Sequence, residues 1–146
     1  MAHFVKLDGN NTVTQVIVVA DSDSGGGTLT SESVGITFCR NHVGDNSTNW
    51  KQTSYNHQFR GNYAGVGMTY AENVATLGVA STDVFIGVNT HPSWTIGVNT
   101  AGWYPPANPG DAPALTNAQQ TAGKYYVWNE TDYNADPSTA WNLITP

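Results

Sequence analysis

The longest unbroken apolar run in this sequence is five residues, Val16 to Ala20, and that brevity constrains the fold more than any other feature. A transmembrane helix needs about 20 largely apolar residues, so this run is far too short to span a bilayer. The aliphatic supply is also thin, with Val, Ile, Leu and Phe making up 28 of 146 residues. Within it, 14 valines outnumber the 10 Leu and Ile residues, and β-branched side chains favour the pleated surface of a strand. Short Val-rich runs punctuated by Gly, Asn and Pro predict a mainly β fold, a small antiparallel domain built of successive hairpins.

The hairpins can be placed from their turn signals. His3–Leu7 and Val13–Val19 flank Asp8-Gly9-Asn10-Asn11, a strong hairpin signal. The second strand loses its polar alternation at its end, which predicts burial on both faces, as in a central strand. One short helix is expected at about residues 31–43. Thr30 or Ser31 can cap it, Glu32 suits its first turn, and Gly44 fits the left-handed position past its end. Val34, Ile36, Phe38, Cys39 and Val43 give that helix an apolar stripe. Trp50–Tyr55 reads as a strand and Arg60–Gly67 as irregular.

From Met68 onward three further hairpins are expected. Met68–Tyr70 pairs with Val84–Val88, with Val74–Ala80 a candidate third strand. Ser93–Ile96 pairs with Gly102–Tyr104 around Gly97–Thr100. Tyr125–Trp128 pairs with Trp141–Ile144 around a loop at 129–140. The last two carry a Trp on each arm and read as a degenerate internal repeat. Cross-strand aromatic pairs of this kind stabilise a ribbon by roughly 0.2–1 kcal/mol each. Between them, Pro105–Gly123 holds four of the seven prolines, with low helix potential around Leu115–Gln120. The expected organisation is a β-rich domain at 1–104, a linker or arm at 105–124, and a C-terminal Trp-paired hairpin at 125–146 that packs on the domain or on a partner.

Charge narrows the choice of partners. Eleven acids face five bases for a net −6, and four of the bases lie in the first 60 residues. Phosphate recognition draws on clustered Lys and Arg, so neither nucleic acid nor an anionic membrane is an expected partner. A single cysteine leaves no internal disulfide, and residues 1–20 lack a basic segment followed by an apolar one, which together predict folding in a reducing cytoplasm.

The candidate chemistry is sparse. Cys39 and His42 have C-x-x-H spacing, but zinc takes about four ligands and no second cysteine exists, so Cys39 is expected in the apolar stripe. Gly61–Gly67 lacks the order of a phosphate-binding loop, and no G-x-S-x-G elbow is present. Asp132 and Asp136 could serve a glycosidase as a carboxylate pair, yet they sit where a solvated turn accounts for them. No catalytic residue, cofactor or metal is therefore expected. Five Trp and seven Tyr remain, residue types that supply contact area with a polar handle. At least half of Trp94, Trp103, Trp128 and Trp141 are expected to fill a core short of Leu and Ile. Trp103, Tyr104, Pro105, Pro106, Tyr126 and Tyr133 are the candidates for partner contact.

Several blocks resemble a known family. Met1-Ala2-His3-Phe4-Val5-Lys6-Leu7-Asp8, Val16–Val19, Gly35–Cys39, Trp50-Lys51-Gln52-Thr53-Ser54-Tyr55, Arg60–Tyr70, Pro92–Thr95 and Tyr126–Glu130 occur in order. The series is similar to small virion-associated proteins of marine cyanophages and related tailed phages. The likeness is near-continuous over residues 1–70 and patchy beyond. Departures are a longer 71–91 segment, Gly97-Val98 where acids are common, and an expanded 105–124 linker. The resemblance implies a non-catalytic virion structural protein made in the host cytoplasm. Its expected role is capsid decoration, bound to the major capsid protein on the outer surface, with a homo-oligomer as a further possibility. The alternative is a tail fibre or receptor-binding module that contacts host-surface glycans.

Overall fold

A computed structural model describes residues 1–72, 83–96 and 101–146. The chain forms small antiparallel sheets with one three-turn helix and divides into two compact units, Met1–Val88 with Gly97–Gly102, and Asn89–Ile96 with Trp103–Pro146. The candidate strand Val74–Ala80 and the turn Gly97–Thr100 lie outside the described residues.

The first unit is built on a three-stranded antiparallel sheet of β1 (Ala2–Leu7), β2 (Val13–Val19) and β3 (Asn49–Thr53), in the order β2-β1-β3. The β1–β2 turn is set by Asp8, whose carboxylate accepts the amides of Asn10 at 2.8 Å and Thr12 at 2.9 Å, while Asn11 takes a positive φ of 59°. Asn tolerates that left-handed conformation better than other non-glycine residues. A register shift at Lys6/Leu7 completes the turn.

The central strand is β1, which corrects the expectation drawn for Val13–Val19. β2 is an edge, and Val18 stands 51% exposed. Its apolar run arises because both faces of the sheet are covered: Ile17 packs against one core cluster and Val16 against the other. β1 divides its side chains between the same two clusters. Ala2 and Phe4 join Val19, Cys39 and Trp50, whereas Val5 and Leu7 join Val13, Ala64, Tyr70 and Phe85.

The helix α1 (Glu32–Val43) follows one 3-10 turn and stops at Gly44, whose φ is 69°. The Gly44 amide donates to the carbonyls of Arg40 and Asn41, closing the helix end. Ser31 makes no side-chain cap. Glu32 instead reaches across to β3, where its Oε1 accepts the Gln52 amide at 2.8 Å. Gly35 lets the helix approach the sheet, since a Cβ there would lie 2.0 Å from the Phe4 ring. On the other face, β4 (Thr69–Ala71) pairs with β5 (Val84–Ile86), Tyr70 opposite Phe85. β4 is tied to the first hairpin by Val13 N–H to the Met68 carbonyl and Tyr70 N–H to the Asn11 carbonyl, both 2.8 Å.

Arg60 joins these layers. Its guanidinium forks onto Glu32 of α1 (Nη2 to Oε2, 3.1 Å), donates to the Gln52 carbonyl of β3 at 2.9 Å, and donates through Nε to Asp83 beside β5 at 2.8 Å. Asp83 also accepts the Tyr70 hydroxyl, and the guanidinium lies 5.7 Å from the Tyr70 ring centre. Burial works against the Arg60 charge, but Glu32 and Asp83 more than offset it and hold its pKa above the ordinary value.

The second unit contains β6 (Thr95–Ile96) paired with β7 (Trp103–Tyr104), α2 (Asn117–Thr121), and β8 (Tyr125–Trp128) paired with β9 (Trp141–Ile144). The expected loop at 129–140 instead holds α3 (Glu130–Ala135) and a 3-10 turn at Pro137–Thr139. Local capping explains the difference. Asn129 accepts the Asp132 amide and Asp136 accepts the Ser138 amide, so each short turn has its exposed N–H groups satisfied by a side chain. The one-turn α2 is closed the same way by a capping box between Thr116 and Gln119.

Two measurements check the packing of the first core. Gly35→Ala should cost at least about 2 kcal/mol by overpacking against the Phe4 ring, read as a shift in the urea midpoint; an unchanged midpoint would contradict the close approach. Burial pushes the Cys39 thiol up to about 11. At pH 8 the folded protein should therefore resist a thiol-specific reagent and react only when denaturant is added.

Candidate functional site

The second unit gathers most of the tryptophans. Trp94, Trp128 and Trp141 meet edge to face, with ring centres 5.6 Å apart for the first two, 5.1 Å for Trp128 and Trp141, and 6.1 Å for Trp94 and Trp141. His91 packs on Trp94 at 4.7 Å. Such edge-to-face contacts contribute roughly 0.5–1.5 kcal/mol each beyond area burial, which matters in a unit with so few Leu and Ile. Trp128 is 5% exposed and Trp94 and Trp141 are half-buried.

A carboxylate and a carbonyl fix the indoles. Glu130 Oε2 accepts Trp128 Nε1 and Ser93 Oγ, each at 2.9 Å, and Oε1 accepts the Ser93 amide at 3.1 Å. Glu130 thereby links α3 to the segment before β6. Trp141 Nε1 donates to the Gly110 carbonyl at 2.9 Å and pins the Pro-rich segment to β9.

The sequence-predicted contact residues lie in this unit in different settings. Trp103 is half-buried opposite Ile96, and its strand neighbour Tyr104 is exposed. Pro105 and Pro106 are half-buried where the Pro-rich segment begins. Tyr133 packs at a tilt on Trp128 at 5.1 Å, and Tyr126 is half-buried opposite Leu143. Asp132 lies in α3 and Asp136 caps the 3-10 turn: Asp132 accepts the Asn142 side chain at 2.8 Å, and hydrogen bonds from Ser138 hold the Asp136 carboxyl below its usual range.

The β8–β9 ribbon has two faces of different character. Trp128 and Trp141 are directly paired on one face. The opposite face carries Tyr125 and Val127, 50% and 42% exposed, with Ile144 paired to Tyr125. Tyr125 and Val127 were not among the sequence candidates. Their signal was present in the alternation of Tyr125-Tyr126-Val127-Trp128, since fixing Trp128 inward places the residues one and three positions before it outward.

The first unit holds a cavity of about 120 Å³ lined by residues of β1, Gly27, β3 and the segment 54–59. Gln52 lines it and is 2% exposed. Its Nε2 donates to the Gly27 carbonyl at 2.7 Å, while its Oε1 is left without a hydrogen-bond partner. His3 and Tyr55, also lining residues, stack at 5.7 Å, and both meet Tyr63 edge to face at 5.3 Å. Sequence reasoning missed this site because its parts lie far apart in the chain. Among the described residues, no three His, Cys, Asp or Glu side chains lie close enough to hold a metal ion, and no helix is long and apolar enough to cross a membrane. The chain matches no known family model, no curated protein and no solved structure.

The Trp cluster and the ribbon surface should separate on mutation. Trp128→Ala should cost about 3–5 kcal/mol and lower the melting temperature accordingly. Tyr125→Ser, which changes an outward side chain, should cost less than about 1 kcal/mol. Comparable losses from both in calorimetry would contradict the assigned faces.

Proposed function

We propose that this protein is a non-catalytic structural component of a tailed-phage particle, a decoration protein that binds major capsid subunits on the outside of the shell. The resemblance of the ordered blocks to virion-associated proteins supports the phage context. Those blocks supply the sheet, α1 and Arg60 of the first unit, so the resemblance falls on the residues that make its core. The observation that carries a binding role is the outward face of the β8–β9 ribbon, where Tyr125 and Val127 stand exposed beside the half-buried Ile144 and Asn142. Solvent-facing aromatic and aliphatic side chains side by side are the usual seed of a protein interface. The surplus of acidic charge supports an exterior position, away from packaged DNA.

A tail fibre or receptor-binding module contacting host glycans is the second reading, favoured by the stacked His3 and Tyr55 rings beside the polar cavity. Quantitative mass spectrometry of purified particles separates the two. Shell decoration predicts hundreds of copies per particle, and paired substitution of Tyr125→Ser and Val127→Ser should lower incorporation by roughly tenfold or more without unfolding the protein. A few to tens of copies, confined to the tail in immunogold images, would contradict decoration and favour the second reading.

A further inference from the structure

Among the described residues, the outer edge of β2 is left open over most of its length. Val13 is covered there: its N–H donates to the Met68 carbonyl at 2.8 Å, and its carbonyl accepts the Gly67 amide at 2.9 Å. Over residues 15–19 no described strand or loop hydrogen-bonds to that side. Alternate residues of this stretch therefore point an amide and a carbonyl outward, the template for one more strand. Native sheets blunt such edges with lysine, proline, a bulge or an inward charge. Residues 9–20 contain no charged side chain and no proline. The register shift at Lys6/Leu7 falls at the Val13 end, which Met68 already covers.

The layers above and below add apolar surface at the same edge. In α1, Glu32 and Arg40 hydrogen-bond toward β3, to the Gln52 amide and the Thr48 carbonyl, while Gly35 and Cys39 are buried. The helical repeat then turns Val34 and Phe38 to the opposite flank, on the β2 side. Phe38 packs with Ile17 of β2 in one cluster, and Val34 stands 48% exposed. On the other face of the sheet Val18 is exposed, two positions beyond the covered Val16. A strand added to β2 would take Val34 and Val18 out of water, one on each face.

We propose that residues 15–19 of β2 pair antiparallel with the same residues of a second copy of this chain, joining two three-stranded sheets across a twofold axis. Charge selects this occupant. The chain carries a net −6, and the β2 edge is a stretch along which two copies meet with no like charges on the paired strands. Antiparallel pairing also sets the Asp21 and Asp23 end of one strand beside the end of the other where Lys6 stands opposite Gln15. Parallel pairing would set acid against acid. The facing side chains are β-branched on both strands, a favourable cross-strand combination. The twofold uses the β2 edge of both copies, so the pairing closes on itself as a dimer. The dimer surface belongs to the first unit and does not depend on the decoration reading. Failure of one therefore leaves the other standing.

Sedimentation velocity of the full chain between about 1 µM and about 500 µM tests the pairing. The mass should rise from that of the 15.6 kDa chain to twice that value, with a dissociation constant on the order of 10 µM. Over the same range, hydrogen exchange in a peptide covering residues 14–20 should slow by roughly threefold or more as the outward amides become paired. Val18→Lys puts the usual edge-protecting residue at an exposed position. It should keep the melting temperature of the monomer within about 5 °C and raise the dissociation constant by roughly tenfold or more. Tyr125→Lys, in the other unit, should leave dimerisation unchanged within about twofold. The proposal is overturned by a monomer alone at about 500 µM, by a dimer that survives Val18→Lys, or by concentration-dependent protection confined to residues 103–146. Should Val18→Lys unfold the chain, the exchange of the unsubstituted protein at residues 14–20 decides the question by itself.

Discussion

The buried guanidinium of Arg60 is the interaction on which the first unit depends. It is 6% exposed and touches three layers: α1 through Glu32, β3 through the Gln52 carbonyl, and the β4–β5 pair through Asp83 and Tyr70. Two largely buried carboxylates share one cation, so removing any one of the three leaves buried charge less well compensated. Arg60 also sits at a φ of 55°, a left-handed conformation that costs an ordinary residue roughly 1–2 kcal/mol. Its carbonyl accepts the Phe85 amide at 3.0 Å in that conformation. The surrounding hydrogen bonds hold the strained backbone, as strained residues require.

A chain with few Leu and Ile must find cohesion elsewhere, and the two units solve this differently. The first splits a single apolar strand, β1, between two small clusters and links the layers by charge. The second clusters indoles edge to face and satisfies two of their N–H groups with Glu130 and the Gly110 carbonyl. The third indole donor, on Trp94, is buried without an acceptor. In both units a single carboxylate, Glu32 or Glu130, bridges a helix to a distant segment. Low overall charge therefore coexists with structural roles for a large share of the few charges present.

Much of this was legible in the sequence. Turn residues and Val-rich alternation located the pairs β1–β2, β4–β5, β6–β7 and β8–β9, and Gly44 marked the end of α1 to the residue. These features are set by contacts within a few positions of each other. The order β2-β1-β3 was not legible, because an apolar run such as Val16–Val19 reports that both faces are covered, not which strand is flanked. Arg60 lay in a stretch read as irregular, and its partners stand 28 and 23 residues away. α3 was hidden because Asn and Asp signal turns and caps equally well. The Gln52 cavity had no local signature at all, since Gly27 and Gln52 meet only in the folded chain.

A double-mutant cycle on Glu32→Gln and Asp83→Asn tests most directly whether Arg60 couples the layers. Each substitution keeps side-chain shape while removing one negative charge, and the pair together removes both carboxylates that Arg60 bridges. If Arg60 is the shared cation, urea unfolding should show the double variant destabilised beyond the sum of the singles by about 1 kcal/mol or more. Additivity within about 0.3 kcal/mol would contradict the account and leave α1 and β5 as independently held layers.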